Sequence, residues 1–61
     1  MQKQERRSRW LKIEYDLHDA REVCEEFLQY ADELAGAERE ALEEIFGHVR
    51  KSVEILRQIR S

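Results

Sequence analysis

Eight apolar or small residues recur through the first half of the chain at spacings of 3, 4, 3, 4, 3, 4 and 3. They are Trp10, Ile13, Leu17, Ala20, Cys24, Phe27, Ala31 and Leu34. An unbroken a/d heptad of this length predicts one α-helix with a single apolar seam. Val23, Leu28 and Tyr30 flank the seam at g and e positions. The stripe is therefore wider than a two-stranded zipper needs, and it suits a bundle. A second seam runs Leu42, Ile45, Val49, Ser52, Leu56, Ile59, with Phe46 and Val53 beside it. Only Ser52 breaks its apolar pattern, and a hydroxyl there can bond back to the carbonyl one turn earlier.

Between the seams stands Leu34-Ala35-Gly36-Ala37-Glu38. Gly36 can supply the left-handed residue that ends a helix. Glu38 and Glu40 would sit in the first turn of a second helix, where the helix dipole favours acids. The expected fold is all-α: one antiparallel hairpin with helix 1 over about 4–34, a turn at about 35–37 and helix 2 over about 38–60. Two such hairpins would dimerise into a four-helix bundle, with Ile13, Leu17, Cys24, Phe27, Leu42, Ile45, Val49 and Leu56 in its core alongside Trp10. The alternative is one long coiled-coil helix, because the four-residue offset between the seams has the size of a tolerated stutter. Gly47 falls on an outer position of helix 2, where it costs about 1 kcal/mol relative to Ala.

Size pushes toward assembly. A chain of 61 residues makes one small domain, and a domain of that size buries only about 60% of its unfolded surface. Such domains usually lean on disulfides, a metal or oligomerisation. Cys24 is the single cysteine, so it forms no internal disulfide and no CxxC zinc pair. Self-association is the remaining support. No apolar run approaches the ~20 residues of a membrane span, and no apolar stretch follows the basic N-terminus as a signal peptide requires. A soluble, cytoplasmic protein without membrane contact is expected.

Charge is sorted into blocks. Residues 1–12 hold Lys3, Arg6, Arg7, Arg9 and Lys12 against Glu5, and residues 48–61 hold Arg50, Lys51, Arg57 and Arg60 against Glu54. Between them, residues 13–47 carry twelve acids against Arg21 and Arg39. A turn at Gly36 would set residue 61 opposite residue 11 and leave residues 1–10 overhanging by ~15 Å if helical. Both basic blocks then share one end, together with Trp10, Leu11 and Tyr15. Arg7, Arg9, Trp10, Leu11 and Tyr15 are the expected contact residues for an acidic protein partner. Lys3, Arg6, Arg7, Arg9 and Arg57 are the candidates if the ligand is RNA or DNA instead. The acidic middle disfavours extended contact with a duplex. Self-association of a basic end with the acidic part of another copy would satisfy the same charges.

No catalytic constellation emerges. His18 and His48 each follow a glutamate, Glu14 and Glu44, by four residues. That spacing reads as exposed ion pairs, since di-metal bundles use Glu-x-x-His pointing inward. Cys24 lies mid-seam, where thiols behave as small hydrophobes. No calcium-loop pattern occurs among the acids. The chain is expected to be a non-enzymatic regulator or adaptor without a metal or other cofactor.

The opening Met1-Gln2-Lys3-Gln4-Glu5-Arg6 and a cysteine at a seam position resemble the Rop family of plasmid-encoded RNA-binding proteins. The resemblance implies helical hairpins that dimerise into antiparallel four-helix bundles, and an RNA-binding function. Of that family's RNA-contacting positions, Lys3 has its counterpart here. The others correspond to Trp10, Glu14, His18 and Glu25, which differ in type.

Overall fold

The computed structural model describes residues 1–60, with Arg60 described by its backbone alone. Helix α1 spans Lys3–Leu28 and helix α2 spans Gly36–Arg60, with a short 3₁₀ turn at Ala31–Glu33 between them. The molecule measures 47 × 16 × 16 Å. A continuous helix of this chain would approach ~90 Å, so the chain is folded back on itself as an all-α hairpin.

The reversal comes earlier than the heptad suggests, and by a different device. Helix α1 ends at Leu28, not near residue 34, and α2 begins at Gly36, not 38. No glycine has a positive φ, so Gly36 is the first residue of α2 and not a left-handed stop. The turn tightens instead through successive three-residue hydrogen bonds. The amides of Gln29, Tyr30, Glu33 and Leu34 donate to the carbonyls of Glu26, Phe27, Tyr30 and Ala31 at 2.9–3.2 Å. Leu34 then swings to an extended conformation, with φ −91° and ψ 144°. A spacing of three, as between Ala31 and Leu34, is common to a heptad step and to one turn of 3₁₀ helix. Both residues are half-buried, closing the bottom of the hairpin.

The core between the helices is thin. Cys24, Leu42, Val53 and Leu56 are its buried apolar residues, with Leu17, Leu28, Phe46 and Val49 half-buried around them. Val53, only 5% exposed, sits deeper than a place beside the seam suggests. Full burial of one such side chain is worth about 1.5–3 kcal/mol, so a core this small leaves the isolated hairpin modestly stable. Ser52 behaves as its position predicts, its Oγ donating to the His48 carbonyl at 2.9 Å. Gly47 faces open space, with nothing within 4 Å of where a Cβ would stand.

Candidate functional site: an apolar face and a basic notch

The heptad seam of α1 is split by the fold. Leu17, Cys24 and Leu28 turn toward α2, whereas Ile13, Val23 and Phe27 lie on an exposed flank, with Phe27 46% exposed. Helix α2 has the matching flank, made of Ile45, Ser52, Ile55 and Ile59. Ile13, Ile55 and Ile59 line one open groove of about 280 Å³ together with Trp10, Leu17, Ser52 and Leu56. The two flanks therefore border the same side of the hairpin. Phe27 and Ile45 extend them toward the turn. Of the residues expected in an oligomer core, Cys24, Leu42 and Leu56 are buried within one hairpin, Leu17 and Val49 are half-buried, and Ile13, Phe27 and Ile45 are exposed on this face.

The opposite side is polar. Arg21, Glu25, Arg50, Glu54 and Arg57 line a groove of about 250 Å³ floored by Phe46 and Val53. Arg21 Nε lies 3.3 Å from Glu25, and the Arg50 guanidinium stands 5.7 Å from the centre of the Phe46 ring. Exposed pairs of this kind contribute little to stability. They keep this face wetted.

At the open end, α1 overhangs α2. Lys3, Arg6, Arg7 and Trp10 are spaced i, i+3, i+4, i+7, so they share one helical face. Together with Leu11 and Ile59 they line a concavity of about 530 Å³ in the corner beyond the last turn of α2. Trp10, Leu11 and Ile59 give the notch an apolar floor under a basic rim.

The notch gathers some of the expected contact residues and separates others. Arg7, Trp10 and Leu11 meet there, joined by Lys3 and Arg6. Arg9 lines an adjoining concavity with Met1, Arg6, Trp10 and Ile13, on the side of the apolar groove. Tyr15 is 65% exposed and is not among the residues lining the notch. Arg57 belongs to the polar groove, so the five basic residues considered for nucleic acid do not converge. The side chain of Arg60 and all of Ser61 lie outside the described residues. Ile59 was missed as a notch residue because its role depends on the hairpin register. The i, i+3, i+4, i+7 spacing of Lys3, Arg6, Arg7 and Trp10 was the available signal.

Glu44 and His48 approach to 3.9 Å on an exposed surface, and Cys24 is a buried free thiol. Among the described residues no cluster of His, Cys, Asp or Glu could hold a metal ion, and no helix is long and apolar enough to cross a membrane. No family model, curated protein or solved structure matches the chain, so the likeness to the Rop family rests on its first six residues, the seam cysteine and the hairpin alone.

Proposed function

We propose that this chain is a small non-enzymatic adaptor that pairs with itself through the apolar face and presents the basic notch to an acidic protein partner. The observation that carries the proposal is the sorting of exposed side chains. Ile13, Val23, Phe27, Ile45, Ile55 and Ile59 gather on one side of the hairpin, and Lys3, Arg6 and Arg7 crown its open end. A cluster of exposed apolar side chains beside a thin core favours a second copy as the partner for that face. The simplest product is a dimer of four helices. It leaves the polar groove outward, and the notch supplies an apolar anchor site with a charged rim that selects acidic surfaces.

Sedimentation equilibrium tests the pairing. The wild-type chain is expected at dimer mass, and Ile45→Glu at monomer mass with its helical circular dichroism retained. A wild-type monomer at high concentration sinks the proposal. The partner class is tested by titrating either a glutamate-rich helical peptide or a single-stranded RNA against the emission of Trp10. Peptide binding supports the adaptor. RNA binding whose log K falls with log salt at a slope implying several phosphates assigns the notch to nucleic acid instead.

A further inference from the structure

We infer that the notch of one molecule receives the turn of another, so that hairpins, or pairs of hairpins, associate end to end. The inference rests on the proposal that the notch takes acidic protein, and it names a second copy of this chain as the occupant.

The notch lies beside Ile59 of α2, along the face of α1 that runs from Trp10 back to Lys3. The turn end of another hairpin is complementary to the notch in charge and in apolar content. Tyr30 is exposed at the turn, and Asp32, Glu33, Glu38 and Glu40 are exposed around that end. An aromatic ring among carboxylates matches a floor of Trp10, Leu11 and Ile59 under a rim of Lys3, Arg6 and Arg7. The two surfaces sit at opposite ends of a 47 Å rod, so one chain cannot join its own. A contact between two different patches is heterologous and does not close on itself, so it propagates into open chains. Pairing through the apolar face shares Trp10 and Ile59 with the notch and leaves Lys3, Arg7, Leu11 and the turn uncovered. Because the rim residues are exposed, their attraction is screened as salt rises.

The test uses two charge reversals of the full chain, Arg6→Glu/Arg7→Glu at the notch and Asp32→Lys/Glu33→Lys at the turn. In sedimentation velocity at low ionic strength, wild type is expected to form species larger than the dimer that dissolve on adding salt. Each reversed variant alone is expected to stop at the dimer, and an equimolar mixture to regain the larger species. Helical circular dichroism of each variant confirms that it is folded. The inference is overturned if wild type never exceeds the dimer, if either variant alone still forms the larger species, or if the mixture does not restore them. A wild type that stays dimeric while a glutamate-rich peptide shifts Trp10 emission overturns self-docking and leaves the adaptor proposal standing. A chain that never pairs at all overturns the inference and the pairing through the apolar face together.

Discussion

Trp10 and Ile59 both line the basic notch and the apolar groove that runs away from it. Leu11 lines the notch without lining that groove. The shared pair ties self-association to capture of a partner at one corner of the molecule. Trp10→Ala is therefore expected to weaken both dimerisation and acidic-peptide binding, whereas Leu11→Ala weakens only the second. Sedimentation equilibrium and peptide titration followed by fluorescence anisotropy of a labelled peptide separate the two. Equal effects of both substitutions on dimer mass would contradict the division.

Val53 and Ile55 stand two residues apart with opposite environments, 5% and 49% exposed. Removing two methyl groups from Val53 loses about 0.8 kcal/mol for each, plus a cavity term. Val53→Ala should cost the hairpin about 2 kcal/mol in urea denaturation. Ile55→Ala should leave the hairpin nearly unchanged when measured at concentrations too low for pairing. A larger loss for Ile55 would mean that the buried side of α2 is misidentified.

Phe27 makes the complementary case. Its ring is half exposed, so truncation has limited effect within one hairpin and its main effect on association. Burying the remaining half in a pair contributes about 1–1.5 kcal/mol per copy. Counted twice, its loss in Phe27→Ala raises the dimer dissociation constant roughly thirty- to a hundred-and-fiftyfold. Dilution followed by sedimentation measures this directly, and an unchanged constant would place Phe27 outside the interface.

The glycines test the turn. With no positive φ at either position and open space where a Cβ would stand, neither glycine is needed for its conformational freedom. Gly47→Ala in the interior of α2 is expected to stabilise by about 1 kcal/mol. Gly36→Ala, at the first position of the same helix, is expected to be neutral or slightly stabilising by thermal denaturation. A marked loss at Gly36 would restore the left-handed role that its place between the seams first suggests.

Much of this architecture is legible in residue spacing. The two seams identify two helices, and the back-bonded hydroxyl of Ser52 follows from its helical position alone. The end of α1 is not legible, because Ala31 and Leu34 keep heptad spacing while the backbone between them has passed into a 3₁₀ turn. Nor does a heptad tell which edge of a wide stripe faces the neighbouring helix. Leu28 turns inward and Phe27 outward although they are adjacent. That choice depends on the crossing of α1 over α2, which is a property of both helices at once. At the basic end, the overhang could be inferred from chain lengths. The separation of Arg57 from Lys3, Arg6 and Arg7 required the rotation of α2 about its own axis.

The overhang of α1 has a consequence for motion. Below Trp10 the helix has its own hydrogen bonds but, among the described residues, no second helix against that face, and short unsupported helical turns are marginal in water. Amide protons in these opening turns should exchange with solvent far faster than those around Cys24 and Val53. A body seated in the notch would act as the missing neighbour. Its arrival would be recorded as slowed exchange along residues 3–9, an ordering of the helix by the molecule it holds.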